Sequence, residues 1–402
     1  MSAQIDSFTA ARTASAAAAA QSVHARVRLD SIDIVRGLVI ALMALDHVRD
    51  YFTDVRFNPL DLSLTSPVLF LTRWITHFCA PTFVLLAGVS AYLLSLRSTR
   101  AELSRFLVTR GLWLIVLELT IVNYAWTFNL RYDYGLYLQV IWAIGCSMIA
   151  LAAMIHLPLR AIAVLSCVLI AGHNLLDGIA PEQFGAWAPL WSLLHVRSDL
   201  GVVYVAYPLI PWVGVMSLGY VLGSLYRLDA NARRTALVVL GSLSIFLFVV
   251  LRLPNFYGDP RDWVVQGTPV YSLFSILNVA KYPPSLQYVL ITIGPALLLL
   301  AAFEQVRNRL SDVLRTFGRV PLFFYVLHIV LAHLAAGLVA LATGHGSAVL
   351  TGPFFDVFPA SWGYALPGVY LVWLFVLVAL YPACRWFAQL KRQRTDWWLS
   401  YL

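Results

Sequence analysis

Ten stretches of this chain run to about twenty predominantly apolar residues, the length a helix needs to cross roughly 30 Å of hydrocarbon. They fall at 32–52, 72–96, 104–127, 134–156, 159–176, 201–225, 233–252, 285–304, 317–341 and 362–387. Backbone inside lipid must satisfy its hydrogen bonds within each segment, so such stretches leave little choice of fold. The expected class is all-α: a polytopic integral membrane helical bundle of about ten transmembrane helices. Composition agrees, since 60% of the 402 residues are hydrophobic and only 12% are charged. A soluble domain carries about twice that charged share.

Basic residues orient the bundle. Ten spans place nineteen Lys and Arg residues on the side of the termini and eight on the other, with Arg36 inside the first span. The positive-inside rule then predicts that both termini are cytoplasmic and that the chain sits in the cell's inner (plasma) membrane. The net charge of +8 is thus a topology signal. The lipid bilayer is the expected partner, and nucleic acid is not. Residues 1–28 are Ala-rich and read as a disordered cytoplasmic tail, since they lack the apolar region of a signal peptide. Residues 392–402 read as a short cytoplasmic tail. Cys79, Cys146, Cys167 and Cys384 lack metal-ligand spacing and read as small apolar fillers, so no metal is expected. No phosphate-binding loop or dinucleotide fingerprint is present.

Against this apolar background the polar residues stand out. The first span carries Asp33, Arg36 and His47. A charged group at a helix centre costs roughly 2.5–3.5 kcal/mol on insertion scales. Arg36 and His47 are eleven residues apart, so they share one face and are separated by about 16 Å of rise. End-anchoring groups would look the same. Asp46, His47 and Asp50 fall at the end of the bundle where the second span begins with Arg73 and His77, and the loop between holds Asp54, Asn58 and Asp61. Two histidines among carboxylates can do general acid–base chemistry, or can form an interfacial hydrogen-bond network.

Glu118 lies in the middle of the third span, where a carboxylate must be neutral, paired or facing water. His328 follows Tyr325 by three residues in the ninth span, so the two can meet on one helix face. His156, His173 and His333 read as packed or interfacial, and His195 and His345 fall in loops. The loops 177–200 and 253–284 hold Trp187, Trp191, Tyr257, Trp263 and Tyr271 beside charged residues. Such aromatics suit a sugar ring, although any membrane protein carries an aromatic belt. Arg97, Arg100, Arg105, Arg110, Arg315 and Arg319 gather on the cytoplasmic side, where guanidinium forks suit phosphate and where topology also predicts them.

Four segments taken in order resemble one family. They are Asp33-x-x-Arg36-Gly37 with His47 further along the same helix, the run Thr76–Ser90, the run Phe317–His328, and the tail Tyr381–Phe387 with Trp398–Leu402. Together they resemble the transmembrane acyltransferase superfamily, in its heparan-α-glucosaminide N-acetyltransferase catalytic-domain branch. The resemblance spans essentially residues 28–402, is densest in the first hundred, and makes 29–391 an acyltransferase-like membrane domain. It implies an enzyme that moves an acetyl group from cytoplasmic acetyl-CoA, as co-substrate, to a carbohydrate amine or hydroxyl at the opposite face.

It further implies a role for His47 as general base or transient acetyl acceptor, and for Arg36 and Asp33 as organisers of the helix or the donor path; by their placement, Asp46, His77, Glu118 and His328 are the candidates around the chemistry. Arg36, Arg100, Arg105, Arg110 and Arg319 would serve the donor. One position departs from the pattern. Lysosomal members carry asparagine where His47 falls and place their histidine in the following loop, which here offers Asn58. A homodimer is the expected assembly. Two other classes fit the same polar residues: a secondary transporter, which broken inverted repeats would favour, and a non-catalytic partner in envelope assembly.

Overall fold

The computed structural model describes residues 30–347, 349, 358–394 and 396–400. The predicted tail at 1–28 lies outside the described residues, as does part of 392–402.

Among the described residues, helix α1 covers 30–52. The second crossing is a broken helix, α2 (Pro67–Ile75) and α3 (Cys79–Ser95) joined by a tight turn at Thr76–Phe78. The third is α4 (Arg100–Leu117), a π-helical turn at Glu118–Val122, and α5 (Asn123–Thr127). Then come α6 (Val140–Met154), α7 (Leu159–Gly172), the short α8 (Ala188–Leu194), α9 (Leu209–Gly223) and α10 (Ala230–Arg252). The remaining helices are α11 (Pro269–Leu277), α12 (Leu286–Ala302), α13 (Arg309–Arg319), α14 (Pro321–Ala342) and α15 (Leu366–Gln393).

Seven helical segments are long and apolar enough to cross a membrane. α1, the first expected span, is long enough but carries more charges than these seven, and α6 and α12 are shorter, at 15 and 17 residues. Each expected span therefore contains a helix. This is an all-α polytopic membrane protein.

The boundaries moved for local reasons. Residues Leu136–Leu138 (β1) and Val203–Val205 (β3), expected inside helices, pair in parallel, and Ser198–Asp199 (β2) adds antiparallel. Pro208 precedes α9 and fixes that start. The ninth span splits at Val320, held at φ −131° and ψ 50° by the following Pro321, so Phe317 to Arg319 end a separate amphipathic helix.

Caps mark other helix starts. Thr99 and Glu102 form a capping box, as do Asn308 and Ser311, and the Asp229 carboxylate accepts from Asn231 N and Ala232 N.

Small residues let the helices touch. A Cβ on Gly88 would lie 2.0 Å from Met216 O, and one on Gly219 would lie 2.1 Å from Leu85 O, so α3 and α9 meet backbone to backbone. The same holds for α1 and α13, where a Cβ on Gly37 would fall 1.8 Å from Leu314 O and one on Gly318 1.8 Å from Asp33 O. The segment with α3 is 67% buried across its most apolar window, whereas α10 and α15 are 17% buried. Val164, Phe246, Leu371, Phe375 and Val378 face outward on α7, α10 and α15. In water this would be an apolar surface without a partner; in a bilayer lipid covers it.

Candidate active site

α1 carries His47 at one end and Arg36 at the other, and the polar groups collect around these two points. His47 Nδ1 lies 2.7 Å from His328 Nε2, and the rings stack with centroids 4.9 Å apart. His328 Nδ1 lies 3.0 Å from Phe324 O, one turn earlier on α14. A carbonyl only accepts, so His328 carries its proton on Nδ1. Its neutral ring then accepts at Nε2, and His47 donates from Nδ1. A neutral His47 is left with an unprotonated Nε2. His328 is 0% exposed, while His47 remains partly open. Trp126 and Tyr325 wall the His47 ring edge-on at 4.8 and 6.2 Å. One imidazole is locked, its hydrogen bond fixes the other, and the outer nitrogen of the second is a base.

Asp46 turns away into an ion-pair cluster. Its carboxylate accepts from Arg73 at 2.9 and 3.1 Å and pairs with Arg49 at 2.9 Å, and Arg49 also meets Asp50 at 2.5 Å. Arg73 donates to Thr76 Oγ1 at 2.8 Å as well, so one guanidinium joins the neighbour of His47 to the neighbour of His77. His77 is 1% exposed, with the Tyr288 ring 5.4 Å away, and neither ring nitrogen has a hydrogen-bond partner. The break at Thr76–Phe78 places it there.

Lys281 lies within electrostatic reach of His47, Asp46 and His77, and its Nζ stands 5.1 Å over the Tyr282 ring. The Tyr282 ring also packs edge-on against Tyr207 at 5.2 Å. Burial pushes the Tyr282 phenol up. The charges of Lys281 and Arg73, with hydrogen bonds to Tyr207 and Lys281, outweigh that and hold it below the usual phenol value. Arg197 lies over both Tyr204 and Tyr282, 5.3 and 5.1 Å from their centroids. Tyr207, Tyr282 and Trp126 were not singled out from sequence. The X-Pro steps Tyr207-Pro208 and Tyr282-Pro283 were the available signal, because they force extended backbone at a helix entrance.

Glu118 sits where the π-helical turn widens α4. Its Oε2 accepts from Trp142 N at 2.9 Å, at the first turn of α6, whose N-cap Gln139 makes no side-chain bond. It caps that helix end, where orphan N–H groups and the helix dipole favour an acceptor. Asn123 Oδ1 accepts weakly from Tyr137 N at 3.4 Å. Asn58, in the loop after α1, is exposed and accepts from Leu60 N.

At the other end, Arg36 donates to Asp33 Oδ1, to Gly318 O and to Ser90 Oγ at 3.2, 3.2 and 3.0 Å. Arg319 reaches Asp33 at 3.4 Å and Asp30 at 3.5 Å. The Asp33-x-x-Arg36-Gly37 motif therefore clamps α1 onto α13 and α3. Lys391, from α15, lies in the field of Arg110, Arg36 and Asp33. Arg36, Arg110, Arg319 and Lys391 thus gather at one bundle end. Arg100 and Arg105 are exposed on α4, with Arg100 donating to His156 O at 3.3 Å.

Most loop aromatics hold the loops together. Trp191 Nε1 donates to Ile179 O, Trp263 Nε1 to Leu253 O, Tyr271 Oη to Thr65 O and Tyr257 Oη to Ala171 O. An open groove along α7, with Val164, Cys167, Val168 and Leu175, is apolar, faces outward and shares none of these polar groups.

No curated protein matches this sequence. A family model, the heparan-alpha-glucosaminide N-acetyltransferase catalytic domain, matches residues 28–252, more than half of the chain. The match takes in Arg36, Asp46, His47, His77 and Glu118, while Arg319 and His328 lie beyond it. The order of motifs on α1 and α3, the helical bundle and this match lead to one conclusion: the chain belongs to the heparan-alpha-glucosaminide N-acetyltransferase catalytic-domain family of membrane acyltransferases.

Proposed function

We propose that this protein transfers an acetyl group from cytoplasmic acetyl-CoA to an amine or hydroxyl of a carbohydrate at the opposite membrane face. The observation that carries the reading is the His328–His47 contact, which leaves His47 Nε2 as a free base in a partly open site. In the reaction the acceptor nitrogen or oxygen attacks the thioester carbonyl while His47 Nε2 takes its proton. The C–S bond then breaks, and the imidazolium returns the proton to the departing thiolate. Such a base contributes typically 10²–10⁴-fold.

His328 positions His47. Asp46 positions the site through Arg73, and Glu118 does so through α6. His77 lies buried behind the site, both of its ring nitrogens without a partner. The basic groups Arg36, Arg110, Arg319 and Lys391 suit the phosphates of the donor. The span from Arg36 to His47, about 16 Å on one helix face, is comparable to a pantetheine arm. Nineteen basic residues against eight support a cytoplasmic Arg36 end, both termini with it. Arg100 and Arg105 extend that basic surface outward.

The test is incubation of purified protein in nanodiscs with acetyl-labelled acetyl-CoA, following CoA release and label transfer to glucosamine and its oligosaccharides. Release and transfer that disappear in His47→Ala would support the reading. No CoA release and no label on any acceptor, in wild-type protein that elutes as one folded species, would end it and favour transport.

A further inference from the structure

We propose that His173, Asp177 and His195 form a site for one divalent transition-metal ion, zinc by its donor set, at the same bundle end as His47. His173 follows directly on α7. His195 ends α8, and Asp177 stands between them in sequence. One ligand atom from each lies within 4.8 Å of the other two. His195 Nε2 is 3.3 Å from Asp177 Oδ1. Two ligands held at about 2.0–2.2 Å in a tetrahedral zinc shell are separated by roughly 3.4 Å, so this pair is spaced to share an ion without rearrangement.

The second observation is the state of the imidazoles. His173 is 2% exposed and His195 1%, and all four of their ring nitrogens are buried without a hydrogen-bond partner. Buried polar groups are seldom left so, and a histidine pair is an unusual place for it. A charged His195 resting on Asp177 would account for one nitrogen and the Pro284 backbone for one of His173, which still leaves one nitrogen on each ring to be explained. An ion takes one nitrogen from each ring and the carboxylate oxygen together.

Outer contacts resemble those that orient metal ligands. Asn174 Nδ2 donates to Asp177 Oδ2 at 2.7 Å, which leaves Oδ1 toward the histidines. Asn174 Oδ1 in turn accepts from Leu286 N at 2.9 Å, tying the cluster to the start of α12. Asp177 reaches solvent, which provides an entry path and room for a water as fourth ligand.

Such an ion would staple the excursion 177–195 to the end of α7. The chain leaving it runs through Arg197, which lies over Tyr204 and Tyr282, to Tyr207, which packs on Tyr282. The role is structural: the ion fixes the segment that carries Arg197 and Tyr207 against Tyr282. Sequence alone hid the site, since one histidine lies in an apolar span and the other in a loop.

The experiment uses full-length protein in detergent, stripped with a chelator, dialysed and titrated with Zn²⁺, with Co²⁺ as a spectroscopic substitute. Wild type is expected to bind about one equivalent and to show visible Co²⁺ bands. Asp177→Asn keeps the shape and the Asn174 contact, and is expected to weaken binding about a hundredfold or more, with loss of the bands. His195→Ala should do the same. Zinc should slow protease cleavage within 177–195 in wild type only. Stripped wild type that is monodisperse yet takes up neither ion overturns the proposal. So does equal uptake by Asp177→Asn, which would place the ion on other residues.

Discussion

His47 and His328, 281 positions apart in sequence, share a 2.7 Å nitrogen–nitrogen contact that only the packing of α1 against α14 creates. The contact has a direction, because Phe324 O fixes the proton on the far side of His328. His47→Ala is expected to lower acetyl transfer on the order of 10²–10⁴-fold. His328→Ala should cost on the order of 10²-fold through the lost tautomer, and should change the pH profile of the transfer while leaving donor KM nearly unchanged. Steady-state kinetics of both variants across pH would decide it. Equal kcat and pH profiles in His328→Ala and wild type would remove the positioning role.

Glu118 separates a cap from a catalyst by its two conservative variants. Glu118→Gln keeps an oxygen for Trp142 N and should retain most activity and thermal stability. Glu118→Ala leaves a buried N–H unpaired and should lose about 1–3 kcal/mol, read as a lower Tm in detergent. Abolished turnover in a stable Glu118→Gln would instead make the carboxylate itself a reacting group.

Asp46 pairs with two guanidinium groups at once, Arg73 and Arg49, the latter shared with Asp50. Asp46→Asn should destabilise the protein by about 3 kcal/mol, since Arg73 and Arg49 then remain largely buried without their shared partner. The double variant Asp46→Asn, Arg73→Gln should lose less than the sum of the single losses, and a double-mutant thermal cycle measures the coupling.

The close approach of α1 and α13 permits no side chain. Gly37→Val and Gly318→Val each drive carbon into backbone oxygen and are expected to cost at least about 1–3 kcal/mol, with reduced yield of folded protein. Gly267→Ala, where nothing lies within 4 Å, is the control and should be neutral.

Tyr282 offers a pH readout outside the helices that span the membrane. Its phenol is held below the usual value by Lys281 and Arg73, against burial. Wild type should therefore show one tyrosine ionising ahead of the rest in absorbance titration near 295 nm. Lys281→Gln removes a stabilising charge from the phenolate, so that ionisation should move to higher pH. An unchanged titration would separate Lys281 from Tyr282.

Glu118 and the loop aromatics show where sequence reasoning stopped. Burial of a carboxylate in an apolar helix was visible at once, but its partner is a backbone N–H on α6, and backbone groups carry no sequence signature. Asp46 was placed correctly beside His47 along the chain, yet one residue along a helix turns a side chain by about 100°, and it faces Arg73 instead. In the Asp33-x-x-Arg36-Gly37 motif, the resemblance makes Asp33 and Arg36 organisers of the helix or of the donor path. In the fold the motif's aspartate and arginine bind α13 and α3, and its glycine admits the α13 backbone.

The apolar helices, the basic asymmetry and the family motifs follow from the sequence by itself, because membrane insertion and helix formation depend on local composition and length. Tertiary structure alone decided which polar groups meet. The His47–His328 pair, the Arg73 link from Asp46 to Thr76, and the grouping of His173, Asp177 and His195 each join residues from separate segments. Their partners are set by helix rotation, by proline and π-helical breaks, and by glycine contacts that fix how near two backbones come. Those are properties of the packed bundle, and no single helix contains them.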